Sequence, residues 1–385
     1  MINELEPKNK TESRQIRIAT YVYPAWHSSE YRKALGEKWT EWELLKSAQP
    51  LFSGHNLSEP PLWGCYDDSK PRTVAKQINA AIAHNINIFI FVYYWKSIPV
   101  MNEGIDNGFL KAQNNKKIDF ALLLSPRLPR NKLPLPKDLS DASDRKRRDA
   151  NLNPTNIMKF IKFASTEYFK KSNYLKINNS PVLYFFQYYD FVKRWGGEKN
   201  TQKLFKKINK YLRSEGFSGL YPIGTTDYVN ETKDLRKTGF KAITSYNLLG
   251  SASHGEPVQD YTKAMEKRTK WWPIFAKRSR IAYLPCISLG FDASCRGEPG
   301  LPQPRTLEGG RYYPWYPIME NFEIKSFEDT LRKAASFILK QPDSSSILHV
   351  ASWNEWTEGN HLEPGLYSGY THLQTIEKIY REINA

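Results

Sequence analysis

Eight short runs of apolar, β-branched and aromatic residues recur along the chain, at 18–23, 88–94, 120–124, 181–186, 219–224, 242–246, 282–289 and 346–353. Polar loops follow them, and then segments with helical periodicity. Val74, Ile78, Ala81 and Ile82 share one face, and Phe327, Leu331, Ala334, Ala335 and Ile338 repeat that spacing; each marks a helix with a single apolar stripe. Leu204, Ile208, Tyr211 and Leu212 form another stripe, and Leu373, Ile376 and Tyr380 the last. Strands that are apolar nearly throughout bury both faces, which a parallel sheet covered by helices allows. Alternation of eight such units predicts an α/β fold, a single (β/α)8 TIM barrel with elaborated βα loops. An open doubly wound sheet is the alternative, because periodicity does not report closure.

No composition shift marks a boundary, so residues 1–385 read as one barrel domain, with 1–15 expected to be a flexible N-terminal segment. The Pro-rich stretches 126–136 and 299–317 each follow a predicted strand and precede a helix. In a barrel these are βα loops at the C-terminal face, where sites are built, and loops of such length usually bind or cover something. No run reaches the roughly 18 apolar residues a membrane helix needs. Residues 1–15 lack the apolar core of a secretory signal, so the chain reads as cytoplasmic or as one from which a signal has been removed. Cys65, Cys286 and Cys295 form no CxxC pair and support neither a disulfide framework nor a zinc site.

The formal charge of +16 would attract anions. Nucleic acid is not favoured as the partner, since no zinc-finger, RRM or P-loop pattern is present. Arg145, Lys146, Arg147 and Arg148 are dense but interleaved with Asp141, Asp144 and Asp149, and read as a solvated loop. An acidic polysaccharide suits the charge equally well.

The predicted strand ends gather aromatic rings, carboxylates and amides: Tyr23 and Trp26, Tyr94 and Trp95, Arg127, Gln187 and Asp190, Asp227, Tyr246, Asp292, and finally 353–359. Sugars ask for this mixture, offering C–H faces to stack and hydroxyls to hydrogen-bond. Eleven Trp is high for this length, and Trp39, Trp42, Trp63, Trp95, Trp353 and Trp356 lie in or near predicted loops, although any one of them alone reads equally as core. Glu355 and Glu358 carry the sharpest expectation. Glycosidic cleavage usually takes two carboxyl groups, one protonated and one ionised, and two Glu in one pocket push their pKa values apart. An ion-paired surface loop is the plain alternative, which the surrounding Trp, Asn and Gly disfavour. The seven His are dispersed without an HExxH motif, and no GxSxG elbow occurs, so neither a metal nor a serine nucleophile is expected.

The stretch Ser352-Trp353-Asn354-Glu355-Trp356-Thr357-Glu358-Gly359-Asn360-His361-Leu362-Glu363-Pro364 is similar to the WNEW-x-EG-x-x-LEP signature of WbsX-like proteins. That group is often named glycosyltransferases and is related to glycoside hydrolase family 99, the endo-α-mannanases and endo-α-mannosidases. Tyr21 to Pro24, Trp39-Thr40-Glu41-Trp42, Pro50 to His55, Phe91 to Trp95, Gly290-Phe291-Asp292 with Arg296, and Phe327 to Ala335 resemble it too, in order along nearly the whole chain. The resemblance implies a (β/α)8 barrel acting on glycans without metal or cofactor. Glu355 would match the residue that deprotonates a sugar 2-hydroxyl to give a 1,2-anhydro intermediate, and Glu358 the general acid/base, a route that retains configuration. Tyr23, Trp26, Trp39, Glu41, Trp42, Tyr94, Trp95, Arg127, Asp227, Tyr246, Asp292, Arg296, Trp353, Asn354, Trp356 and His361 are the expected substrate-binding residues.

One departure stands out. After the third strand many WbsX-like chains carry an acidic, Trp-containing segment, whereas this chain reads Ser125-Pro126-Arg127-Leu128-Pro129-Arg130. Mannose specificity is therefore not carried over, and Arg127 or Arg130 is expected to meet a uronate, sulfate or other anionic group. The leading expectation is a retaining, endo-acting glycoside hydrolase on a complex or acidic glycan, which would suit a periplasmic or surface setting. A glycosyltransferase is the enzymatic rival, although no DxD motif or Gly-rich phosphate loop is present. A carbohydrate-binding barrel without activity is the other rival, and it would need neither Glu.

Overall fold

The apolar runs become the staves of a parallel barrel. The computed structural model describes residues 15–137, 141–250, 256–300, 313–341 and 346–385. Its strands are β1 (Arg17–Val22), β2 (Ile86–Trp95), β3 (Asp119–Leu124), β4 (Ser180–Phe185), β5 (Tyr221–Thr225), β6 (Ala242–Thr244), β7 (Ala282–Leu284), β8 (Cys286–Ser288) and β9 (Ile347–Ala351). They pair in the order β7-β6-β5-β4-β3-β2-β1-β9-β8. The two ends of this series are halves of one predicted run, interrupted at Pro285. β7 pairs with β6 and β8 with β9, so the sheet closes on itself. Pro285 has no N–H for the ladder, but its carbonyl still accepts from the His349 N–H at 2.9 Å. Closure decides against the open sheet.

Helices cover the barrel where the stripes predict them: α1 (Pro71–Ala83), α2 (Pro154–Ala164), α3 (Glu198–Ser214), α4 (Tyr261–Thr269), α5 (Trp272–Ser279), α6 (Ile324–Leu339) and α7 (Thr371–Ile383). Val74, Ile78 and Ala81 of α1, and Phe327, Leu331, Ala334, Ala335 and Ile338 of α6, are buried against the strands. Pro71 and Pro154 occupy first-turn positions, where a missing N–H costs nothing, and the Asn153 side chain caps α2 by accepting from the Asn156 N–H at 3.0 Å.

Strict alternation fails in two connections. Between β5 and β6 there is only a 3-10 turn, Val229–Glu231, because 226–241 carries no apolar stripe to hold a helix down. Between β2 and β3 the chain winds as a π-helix, Gly104–Phe109. Gly108 is required there, since a Cβ would sit 2.1 Å from the Asp68 carbonyl oxygen. Of the segments expected from sequence, 1–14 and 301–312 lie outside the described residues. No described helix is long and apolar enough to cross a membrane.

The lumen is not purely aliphatic. The Tyr21 hydroxyl donates to the Ser245 carbonyl at 2.7 Å, Ser245 meets the Tyr283 hydroxyl at 2.9 Å, and the Tyr184 hydroxyl lies 3.0 Å from His349 Nε2. All are buried. Burial pushes the His349 imidazole down to about 3, so it is neutral in the folded protein. Between about pH 6.5 and 3 the unfolded chain therefore binds a proton at this residue that the native one does not, and stability falls as pH falls. His349→Gln is expected to flatten that slope by up to about tenfold in the folding equilibrium per pH unit below 6.5. Denaturant titrations of both proteins at pH 6.5 and 5 check it; parallel slopes would exclude a neutral buried His349.

Candidate active site

At the C-terminal ends of the strands lies an open cavity of about 270 Å³. Nearly every strand feeds it from just inside or just past its last residue: Tyr23 after β1, Tyr94 in β2, Ser125 and Arg127 after β3, Phe186 and Gln187 after β4, Tyr228 after β5, Tyr246 after β6, Arg296 after β8, and Glu355 and Glu358 after β9. A barrel concentrates function at this end because its loops converge there while its lumen stays packed.

Two carboxylates reach the floor through a local device. After β9 the chain forms a short hairpin, β10 (Asn354–Glu355) with β11 (Asn360–His361), around the 3-10 turn Trp356–Glu358. Gly359 closes the turn at φ 58°, a left-handed conformation that favours glycine. The loop after β8 pins the turn, as the Asp292 N–H donates to the Glu358 carbonyl at 2.8 Å. The same loop supplies Arg296 from the 3-10 turn Ser294–Arg296.

Arg296 ties the floor together. Its Nη2 donates to Glu355 Oε2 at 3.0 Å and to Glu41 Oε2 at 3.2 Å, its Nη1 to Glu358 Oε1 and to the Tyr313 hydroxyl at 2.9 Å, and its Nε to Thr357 Oγ1 at 3.0 Å. The guanidinium also lies 5.3 Å from the centre of the Tyr23 ring. Glu41 accepts from Arg32 at 2.6 Å, from the Tyr23 hydroxyl at 2.6 Å and from the Thr357 hydroxyl at 2.7 Å. Burial alone would raise the Glu41 carboxyl, but the two guanidinium groups and these donors hold it at about 2, fully ionised. Glu355 goes the other way. Burial and the neighbouring Glu358 carboxylate push it up to about 8, against the pull of Arg296. The Tyr246 hydroxyl donates to its Oε1 at 2.5 Å. Three carboxyl groups share two guanidinium groups, so one retained proton brings the cluster to neutrality, and Glu355 is the group driven to hold it.

The expected substrate residues divide in two. Tyr23, Glu41, Tyr94, Arg127, Tyr246 and Arg296 line the cavity with Glu355 and Glu358. The tryptophans do not. Trp26 and Trp42 pack with tilted rings 4.0 Å apart in the core, Trp353 packs on Phe89, and Trp95 packs on Phe160 and Phe163. Trp356 is buried under the His361 ring at 3.7 Å and donates to Glu363 at 2.9 Å. Trp39 lies over the Arg32 guanidinium beside Leu133 and Leu135. These indoles fill the space beneath the loops, where large rings gain most from burial.

Three polar expectations act from behind the wall. The Asn354 side chain clamps the Tyr23 backbone, accepting from its N–H at 2.7 Å and donating to its carbonyl at 3.1 Å. Asp227 accepts from the Tyr246 N–H at 2.8 Å, and burial pushes its carboxyl up to about 6. Asp292 meets His55 Nε2 at 2.9 Å and accepts from the Ser294 N–H at 2.9 Å, setting the turn that carries Arg296.

Sequence reasoning missed other members. Tyr228, Tyr313 and Tyr316 join Tyr23, Tyr94 and Tyr246, so the cavity's aromatic faces are mainly tyrosines. The basic cluster after β3 is not a solvated loop. Asp141–Arg147 is a short helix, and Arg145 and Arg148 line the cavity beside Arg127 and Arg130. The signal was there in the density of Arg residues within a βα loop. Among the described residues no group of three or more His, Cys, Asp or Glu is placed to hold a metal ion.

Comparison with known proteins agrees with this architecture. The GH99 endo-alpha-mannosidase from Bacteroides thetaiotaomicron superposes with a TM-score of 0.59 at 14% identity, covering 95% of this chain and 97% of that one. A glycoside hydrolase-like protein superposes at 0.61 with 15% identity and 97% coverage of both chains. Such distances establish the shared fold. Uncharacterized protein WxcX of Xanthomonas campestris pv. campestris is 20% identical over 390 residues, 95% of this chain and 50% of WxcX. The chain thus spans about half the length of the curated relatives it matches. The family model described as glycosyltransferase WbsX matches residues 17–376, and the chain belongs to that family.

Proposed function

We propose that this chain is a retaining glycoside hydrolase that cleaves within a glycan, with Glu355 and Glu358 as its catalytic residues. The observation that carries the reading is the pair itself: two carboxyl groups bridged by one guanidinium, on the floor of an open cavity lined by tyrosines. A single guanidinium spans them, which suits the close spacing of retaining enzymes better than the wider gap that admits a water between the carboxyls. The fold neighbours, a GH99 endo-alpha-mannosidase and a glycoside hydrolase-like protein, support the same class.

The chemistry follows from one shared proton. A sugar 2-hydroxyl placed at Glu355 would be a further donor beside Tyr246 and Arg296, and donors stabilise the ionised carboxylate. The proton then resides on Glu358. Glu355 takes the 2-hydroxyl proton as O2 attacks C1 and the C1–O bond breaks, while Glu358 gives its proton to the leaving oxygen. Water next loses a proton to Glu358 and attacks C1, and the C1–O2 bond opens as O2 recovers its proton from Glu355. Two displacements at C1 retain configuration. Glu41 stays ionised throughout and holds Arg296 and Tyr23 in place.

Transfer from an activated donor is the second reading, favoured by the family description and by the arginines along one wall. It predicts consumption of a sugar donor, not release of reducing ends from a polysaccharide.

Glu358→Gln is expected to lower kcat on a natural glycan by about 10²- to 10⁴-fold, while first-turnover fluoride release from a glycosyl fluoride, whose leaving group needs no proton, keeps most of its rate. Reducing-end release over a panel of neutral and acidic polysaccharides, with both substrates on the purified variant, checks this. Equal losses on both would remove Glu358 from the acid role.

The wild-type rate is expected to fall as pH rises through about 8, because the pair then loses its shared proton. A kcat/KM profile still rising at pH 9 would contradict one-proton operation.

A further inference from the structure

We propose that the arginine-lined wall after β3 is a subsite for an oxyanion borne by the saccharide, one sugar ring away from the bond that is cleaved. It rests on reading Glu355 and Glu358 as the glycosidic centre. Arg127, Arg130, Arg145 and Arg148 face the cavity. Among the described residues, Asp144 is shared by Arg130, Arg147 at 2.8 Å and Arg148 at 2.8 Å, and Asp190 answers Arg127 at 2.5 Å.

Asp144 is buried behind the wall, so its carboxylate screens the guanidinium groups from the protein side and leaves the cavity side cationic. Burial and the adjacent Arg130 both weaken the hold of Arg148 on its proton, as crowded like charges do. Glu256, from the β6 loop, is a carboxylate that also borders the cavity. Guanidinium groups meet carboxylates, sulfates and phosphates through paired donors, so an incoming oxyanion would relieve this crowding.

The spacing comes from Tyr313. The Arg130 guanidinium sits over its ring, 4.9 Å from the centre, while its hydroxyl lies 2.9 Å from Arg296 Nη1 and 3.3 Å from Glu358 Oε1. One phenol ring therefore separates the cationic wall from the acid/base, about the reach of a neighbouring sugar residue. Arg32 links the two regions, donating to Glu41 at 2.6 Å and to the Arg130 carbonyl at 2.8 Å, so the wall is held in register with the floor.

A uronate or sulfate on the glycan and the diphosphate of a sugar donor offer the same oxyanion chemistry. The test measures binding to the full chain carrying Glu358→Gln, by calorimetry at fixed ionic strength. The probes are 1,4-linked mannotetraose, tetramannuronate that differs only at C6, and uridine diphosphate. The acidic tetramer is expected to bind about tenfold tighter than the neutral one. Arg148→Gln, or Arg145→Gln should Arg148→Gln fail to fold, erases the preference, and Lys206→Gln on α3 leaves it intact. Arginine-dependent binding of uridine diphosphate alone would assign the oxyanion to a donor. Equal affinities for the two tetramers without such binding, a preference that survives both arginine changes, or one lost equally with Lys206→Gln would overturn the subsite. Because binding is read without cleavage, an inactive wild type would count against the hydrolase alone.

Discussion

A buried guanidinium organises this site. Arg296 is nearly inaccessible, and moving such a charge out of water costs several kcal/mol unless partners surround it. Its partners come from three separate parts of the chain: Glu41 from the loop after β1, Tyr313 from the segment after β8, and Glu355, Thr357 and Glu358 from the turn after β9. Burial of Arg296 therefore demands that these loops meet, and the Glu355 and Glu358 pair is positioned as a consequence. Glu41 and Arg32 complete the arrangement as a fixed ion pair, each almost wholly enclosed.

The same charge count sets the protonation of the site. Two cations among three carboxyl groups leave one negative charge, which one retained proton neutralises. Exposure distinguishes the two carboxyls. Glu355 lies deeper and under the Tyr246 hydroxyl, while Glu358 is the more accessible from the cavity. Beyond the pair, a second layer sets the first: Asn354 grips the Tyr23 backbone, Asp227 the Tyr246 backbone, and Asp292 the Glu358 turn.

The tryptophans show where reading residue types goes astray. Each Trp near a strand end looks like a sugar platform, but the loops of this barrel need a core of their own, and Trp26, Trp42, Trp353 and Trp356 provide it. Tyrosines face the cavity instead, since a phenol can present its ring to a ligand while its hydroxyl joins the polar network, as Tyr23, Tyr246 and Tyr313 do. The Arg145 to Arg148 cluster is the opposite case. In sequence its neighbouring aspartates suggest neutralisation in solvent, yet in space a single buried Asp144 serves Arg130, Arg147 and Arg148, and both Arg145 and Arg148 border the cavity.

By itself the sequence determined the strand and helix order, because burial of both strand faces and one helix face leaves a periodic record, and it singled out Glu355 and Glu358 because they sit in an unusual run beyond the last strand. Closure of the barrel was decided only in three dimensions, where the two halves of the strand broken at Pro285 find β6 and β9 on opposite sides. So was the division between residues that touch the cavity and residues that hold them. Side-chain direction, and the sharing of Arg296 and Asp144 among distant segments, are properties of contact in space that local spacing along a chain does not encode.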